Sequence, residues 1–377
     1  MTRARAEIVV ELPLIRHNVE VLRAHTGVGM MTVVKADGYG HGLVPAAVAA
    51  RQGGADWLGV ATIDEALDLR AAGDTGRVLC WLGVPGEDYA AAIAADVDVT
   101  AYSVAELAEV TAGVRASGRR ARLQLKVDTG LSRGGAPLDT WPDVVAEARA
   151  GEERGDWTVT GIWSHFACSD EPDHPANDDQ EAAFRAALST AEAAGLRPEV
   201  RHLANSAAAI LRPSSRFDLV RCGLASYGLD PAPGHTPDLG LVPAMFAFAD
   251  LAMVKRIGAG AGVSYGHTWH ADEATTVGLV PVGYGDGIPR HAGNRAEVMV
   301  GDRRRPVRGR ICMDQFVVDL DGDRPSAGDR VRIFGSGLWG EPTAQDWAEA
   351  CDTISYEIVT RIGGRFARRY NDEETSR

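Results

Sequence analysis

Lys35 follows directly on an apolar run, MTVVK, and precedes a segment carrying glycines at 38, 40 and 42. A free lysine amine has a pKa of about 10.4, so it becomes a nucleophile only where burial or a neighbouring cation favours its neutral form. The glycines favour a positioned lysine beside a flexible loop. Other apolar runs lead to polar residues in the same way. ARLQLKVD ends at Asp128, with Arg133 just beyond; TVTGIWSHF carries His165; VRHLAN ends at Asn205, followed by Ser206; FDLVRC carries Arg221. Taken singly, each residue has an ordinary reading, a solvated cation or a satisfied core histidine. Ser206 opens the short helical stretch SAAAIL, offering a hydroxyl and free backbone N–H groups, and Gly223 allows close backbone approach. An amine for an aldehyde beside a cradle for phosphate is the chemistry of a pyridoxal phosphate site.

These residues need a scaffold that gathers them. From residue 30 the chain repeats a short β-branched run, a polar or Gly-rich loop and a helical stretch. Strands are predicted at MTVVK, WLGVA (57–61), RVLCWL (77–82), VDVTAY (97–102), ARLQLKVD (121–128), TVTGIWSHF (158–166), VRHLAN (200–205) and FDLVRC (217–222). Helical windows such as TIDEALDLRAAG and SVAELAEVTAGVRASG open on Thr or Ser, carry Glu three residues later and close at Gly. Eight such units predict an α/β fold, a parallel (β/α)8 barrel of the TIM type. An open doubly wound sheet is less suited, since no GxGxxG follows an early strand. In a barrel the strand ends form the functional rim, and the polar residues above fall there. Along 121–128, Leu123, Leu125 and Val127 face one way while Gln124, Lys126 and Asp128 face the other, implying a buried polar network inside the barrel.

The Pro/Gly-rich stretch Leu229 to Pro237 reads as a linker. Beyond it the periodicity is mostly two, interrupted by one helical window, TAQDWAEAC, as expected for a mostly antiparallel β domain. The expected domains are therefore a barrel over 1–235 and a β domain over 236–377. The strand-like segment from Ala6 to Leu12 could pair with the latter, and sequence alone leaves this open.

Composition excludes other classes. Net charge is −13 and the basic residues are dispersed. The dense stretch Arg303, Arg304, Arg305, Arg308 and Arg310 reads as a hairpin turn with solvated arginines, so no nucleic-acid partner is expected. MTRARAEIVVEL lacks an apolar signal core, and no window supplies the roughly 20 apolar residues of a membrane span. The five cysteines are widely spaced without CxxC, against a disulfide framework or zinc site, and a cytoplasmic setting without a metal is expected.

The motifs VVKADGYGHG, LKVDTGLSRGG, SHFACSDE, HLANSAA, VRCGLASYGLDP, GVSYGHTW, VPVGYGDGIPR, GRICMDQF and TISYEI occur in the order found in bacterial alanine racemases. The chain resembles that family over nearly its whole length. The resemblance implies pyridoxal phosphate, a head-to-tail homodimer with composite active sites, and interconversion of L- and D-alanine by a two-base mechanism, supplying D-alanine for peptidoglycan. It makes Lys35 the Schiff-base lysine and Tyr265, from the partner subunit, the second acid/base group. Tyr39 becomes a pocket residue. Arg133 would steady the cofactor's phenolic oxygen and the substrate carboxylate, and Arg221 would meet the pyridine nitrogen with His165 behind it. Ser206, Gly223, Leu224 and Tyr356 would contact phosphate, with Asn205 as support. Met313 would meet the substrate carboxylate through its backbone N–H, and Tyr284, Arg290 and Asp314 would line the substrate entrance. Lys126 matches a lysine often carbamylated in the family; an ordinary Lys126–Asp128 pair is the alternative. Gly38 and Cys222 stand where the family more often has Ala and Pro, and Ser169 also departs from it.

Two other activities share the scaffold. A broad-specificity or serine racemase differs by one methyl or hydroxyl in a small pocket. A non-catalytic pyridoxal phosphate homeostasis protein would lack the β domain, and with it GVSYG and GRICMDQF. A decarboxylase would be expected to show a Cys/Asp constellation that this sequence does not present.

Overall fold

A computed structural model describes residues 4–373. The chain divides into two compact units, one made of Ile15–Gly38 and Gly42–Leu241, the other of the two chain ends and Tyr39–His41, its long C-terminal part beginning at Val242. First in the chain comes β1 (Ala6–Glu11), which belongs to the second unit.

The first unit holds a ring of eight parallel strands: β2 (Gly29–Val33), β3 (Trp57–Val60), β4 (Arg77–Cys80), β5 (Asp98–Ala101), β6 (Ala121–Lys126), β7 (Trp157–Trp163), β8 (Val200–His202) and β9 (Leu219–Cys222). Consecutive strands pair from β2 to β8, and β9 pairs back on β2. The seam between β8 and β9 is closed by Asp218 N–H to Arg201 O (3.1 Å) and Arg221 N–H to Ala204 O (3.0 Å). The barrel is therefore complete. Strands that bury both faces are mostly apolar, which is why runs such as WLGV and VLC read so clearly.

Helices alternate with the strands, and their ends follow local chemistry. Thr62 caps Ile63–Ala71 in a capping box with Glu65, and Ser103 caps Val104–Ser117, which stops at Gly118 with φ 65°. Most strands are shorter than the sequence suggested, so Lys35 lies two residues past β2 rather than at its end. The segment after it is also not the loose loop expected: Ala36, Asp37 and Gly38 form a left-handed turn (φ 53°, 54° and 62°) pinned by hydrogen bonds. Between β6 and β7 the register shifts at Leu123/Gln124.

The second unit is a nine-stranded sheet containing β1, β10 (Met245–Asp250), β11 (Met253–Ile257), β12 (Thr275–Val280), β13 (Glu297–Val300), β14 (Arg303–Arg308), β15 (Phe316–Asp319), β16 (Arg330–Phe334) and β17 (Ala367–Asn371). Its order is β11-β12-β15-β14-β13-β16-β10-β1-β17, antiparallel throughout except where β1 runs parallel to β17. Alternating burial along β10 and β14 follows the period-two pattern of their sequences.

Two features of this unit differ from expectation. The arginine-rich stretch is strand β14 rather than a turn: Arg305 is buried and pairs with Asp323, and Arg304 pairs with Asp346. A charged residue can occupy an inward strand position once a loop carboxylate meets it, as Asp323 meets Arg305. A second helix, Ser355–Arg361, follows Ala344–Cys351; its seven residues are too short to show a helical period.

All five cysteines are free thiols. Among the described residues no helix is long and apolar enough to cross a membrane, and no cluster of three metal-ligating side chains occurs.

Candidate active site

Lys35 is held by the turn that follows it. Gly38 N–H returns to Val34 O (2.8 Å) and Gly42 N–H to Asp37 O (2.7 Å), and Asp37 Oδ1 accepts from Leu43 N–H (2.8 Å). Ala36 N–H donates to Glu65 Oε1 at 2.7 Å. Left-handed backbone costs a non-glycine residue about 1–2 kcal/mol, so this turn persists only because its neighbours fix it. Gly38 removes one such cost, which gives its departure from the commoner alanine a physical sense. The Lys35 ammonium lies 5.9 Å from the Trp81 ring. Burial holds its pKa below the ordinary lysine range, Arg133 lowers it further, Glu65 partly offsets this, and Arg221 lowers it again.

Arg221, on β9, is the hub of the barrel interior. One Nη donates to His202 Nδ1 (2.9 Å) and His202 O (3.1 Å); the other donates to Ser164 O (2.7 Å), His165 Nδ1 (3.0 Å) and Leu203 O (3.0 Å). Its Nε–H has no partner among the described residues. Arginine only donates, so both histidines accept at Nδ1 and carry their proton on Nε2. Burial first, then Arg221, holds both rings well below the usual histidine range, so they stay neutral. Burial also lowers Arg221 itself, and no carboxylate pairs with it among the described residues. His202 was not among the sequence candidates. Its ring stacks on Trp163 at 5.7 Å and 6°.

Lys126 projects inward from β6, with Nζ 4.7 Å from the Trp163 ring. Burial, Arg221 and Arg133 bring it down to about 8. The alternative Lys126–Asp128 ion pair does not occur among the described residues. Asp128 instead accepts from Gly130 N–H (2.9 Å) and Ser132 N–H (3.2 Å), shaping the turn that carries the exposed Arg133. Lys35, Lys126, Arg133 and Arg221 thus surround His165 with positive charge.

On the far strands, Ser206 Oγ accepts from Gly223 N–H at 3.0 Å and Ala225 N–H at 3.4 Å, drawing the Gly223–Leu224 corner over the serine. Asn205 caps the helix Ser206–Leu211 through Ala208 N–H (3.1 Å) and donates to Ser169 Oγ (2.8 Å).

The second unit carries the remaining candidates. Gly40, at φ 80°, lies so near Val359 O that a Cβ would stand 2.1 Å from it. That approach sets the Tyr39 ring 6.1 Å from the Tyr356 ring. Tyr265 is 71% exposed, on a short turn that follows Ser264, whose hydroxyl donates to Arg310 O (2.6 Å). Tyr284 N–H donates to Cys312 O (3.1 Å) and Gly285 N–H to Met313 O (2.9 Å), so Tyr284, Met313 and Asp314 share one patch. Arg365, missed in the sequence, fixes that patch by bonding buried Asp286 (2.6 Å) and Asp314 (2.7 Å). Arg290 stands exposed at a nearby turn of the chain.

The barrel residues fit pyridoxal phosphate. An unspent arginine N–H suits a ring nitrogen that accepts, a serine hydroxyl under a glycine corner suits phosphate, and a half-buried lysine of lowered pKa suits an aldehyde. The cations Lys35, Lys126, Arg133 and Arg221, with no carboxylate ion-paired to them among the described residues, suit an anion. Fold and site together define a pyridoxal phosphate enzyme built from a barrel and a β sheet.

Residues 10–231 match the alanine racemase N-terminal domain and residues 244–370 the alanine racemase C-terminal domain. The chain is 54% identical over 366 residues to the alanine racemase of Thermobifida fusca, covering 97% of this chain and 98% of that one. It is 52% identical over 370 residues to that of Salinispora arenicola, covering 98% and 99%. Its fold superposes on the crystal structure of alanine racemase from Streptomyces lavendulae with a TM-score of 0.97 at 51% identity, covering 99% of each chain. On the enzyme from Corynebacterium glutamicum the TM-score is 0.86 at 36% identity, covering 98% and 100%. The chain belongs to the alanine racemase family. It is accordingly a pyridoxal-phosphate-dependent isomerase of L- and D-alanine.

Proposed function

We propose that Lys35 and Tyr265 divide the proton transfers of racemisation between the two faces of the substrate. Lys35, Arg133, His165, Asn205, Ser206, Arg221, Gly223 and Leu224 would hold the cofactor from the barrel, and Tyr39 and Tyr356 are the cofactor-binding residues proposed on the second unit. Bound there, pyridoxal phosphate makes the substrate's Cα–H acidic by drawing its electrons away. The Lys35 amine, its pKa lowered by burial and by Arg133, takes or returns that proton on one face. The phenol of Tyr265 does so on the other. Arg133 and the Met313 backbone N–H orient the substrate carboxylate, while Tyr284, Arg290 and Asp314 control entry. Arg221 donates a hydrogen bond without surrendering its proton, which limits electron withdrawal and thereby side reactions.

The observation that carries this reading is the Arg221 hub, whose free Nε–H and two neutral histidines are built for an accepting ring nitrogen. The exposure of Tyr265, at 71%, supports a tyrosine supplied to a second copy's barrel. The chain then works as a homodimer in which Tyr265 and Met313 of one copy serve the barrel (Ile15–Gly38 with Gly42–Leu241) of the other, in the cytoplasm, supplying D-alanine for peptidoglycan. Mixing inactive Lys35→Ala and Tyr265→Ala proteins after dissociation tests it. Each mixed dimer holds one intact site, so activity should return; if the mixture stays inactive while either variant alone folds and dimerises, composite sites are excluded.

A further inference from the structure

We infer that Gln124 is a positioning residue, whose side-chain oxygen holds the His202 ring in the form that Arg221 requires. The inference rests on the role proposed above for Arg221. Gln124 Oε1 lies 2.7 Å from His202 Nε2, and both residues are wholly buried. Arg221 occupies the other ring nitrogen at 2.9 Å and can only donate. The Nε2 proton must therefore point at Gln124, and only an oxygen there accepts it. This fixes the amide's orientation, and its Nε2 is left without a partner among the described residues. A buried amide N–H2 left unpaired is costly, so the orientation is dictated by the histidine rather than by the amide's own bonds.

The backbone is arranged for this contact. The register of β6 against β7 shifts at Leu123/Gln124, a device that re-aims a side chain. Opposite it stands Gly161, where a Cβ would sit 2.6 Å from both Cδ and Oε1 of Gln124. Trp163 covers the histidine ring from one side. Gln124, His202, Arg221 and His165 thus form one line of donors and acceptors, with a neutral oxygen at its far end. A carboxylate in that place would draw a second proton onto His202, and the protonated ring could no longer accept from Arg221.

The test compares Gln124→Glu and Gln124→Met in the cofactor-loaded protein, with 15N-labelled histidine read by solid-state NMR. In the unaltered protein His202 should show a neutral ring protonated at Nε2. Gln124→Glu should show a cationic ring, with kcat for alanine lowered about tenfold or more and KM changed by less than about threefold. Gln124→Met should keep a neutral ring and lower kcat by about threefold or more, with KM unchanged. A neutral His202 and unaltered kcat in Gln124→Glu would overturn the inference. If Gln124→Glu does not fold, Gln124→Met decides: parental kcat, or failure to fold as well, assigns Gln124 to the barrel's stability alone. Should the unaltered protein leave alanine untouched, the proposed function falls, while the ring signals still report on Gln124.

Discussion

Glu65 serves two neighbours with one carboxylate: Oε1 accepts from Ala36 N–H at 2.7 Å, and Oε2 accepts from Ala61 N–H at 2.8 Å and Thr62 N–H at 3.2 Å. The group that starts a helix therefore also braces the left-handed turn behind Lys35. Glu65→Ala removes the carboxylate half of the capping box and strands the Ala36, Ala61 and Thr62 N–H groups. We expect it to lower stability by about 1–3 kcal/mol and kcat more than KM. Urea unfolding and steady-state kinetics measure both; a stability loss with unaltered kcat would show that the turn holds without Glu65.

Replacing Lys35 by alanine should abolish D-alanine production and the visible absorption of covalently held cofactor. The barrel should stay folded, since Lys35 lies beyond β2 and makes no ladder bond of that strand. Circular dichroism and absorbance separate these outcomes, and residual activity near the parental value would remove Lys35 from its role.

His202 is buried and His165 half-buried, and both are held well below the ordinary histidine range. An unfolded chain binds protons at both once pH falls below about 6.5, while the folded chain does not. Stability is thus fully present above about pH 6.5 and is lost as pH falls toward the lowered folded values. Each such group adds up to about 1.4 kcal/mol per pH unit to the slope. His202→Gln, although less stable at neutral pH, should show a shallower acid slope in urea titrations. An unchanged slope would mean that other groups dominate acid unfolding.

At about 8, the Lys126 amine is readily neutral beside Arg221 and Arg133, with no carboxylate ion-paired to it among the described residues. Carbamylation by dissolved carbon dioxide would supply the missing negative charge. Protein equilibrated with 13C-bicarbonate should show a carbamate resonance that grows as pH is raised through about 8 and is absent in Lys126→Ala. Were the spectra of the two proteins alike, Lys126 would remain a free amine.

Burial pushes the Cys80 and Cys222 thiols up to about 12. Half-buried Cys168 and Cys312 should therefore alkylate first in the native protein, with Cys80 and Cys222 reacting only on unfolding. Peptide mass mapping over a time course reads the order, and early labelling of Cys222 would contradict the packing at the end of β9.

Local signals carried most of the fold. The Thr62 to Glu65 spacing announced its capping box, and the apolar runs announced the barrel strands, because both depend on neighbours a few residues away. Lys35, His165 and Arg221 stood out by their place at the ends of those runs. The residues that escaped depend on distant partners. His202 reads as an ordinary strand residue until Gln124 and Arg221 meet it, although the polar face of 121–128 hinted at such a network. Arg365 gains meaning only beside Asp286 and Asp314, and the turn after Lys35 only once Glu65 arrives.

One topological fact reaches into biosynthesis. β1 is made first, yet its two sheet neighbours are β10 and β17, so Glu7 meets Phe248 on one side and Ala367 on the other. During synthesis that strand waits unpaired until β10 emerges, and its other side stays open until β17 follows, whereas most barrel strands dock on partners made moments earlier. Such long-range closure is slow. Shortening the C-terminus before Ala367 would leave one side of β1 permanently open, an edge that can add strands from neighbouring chains.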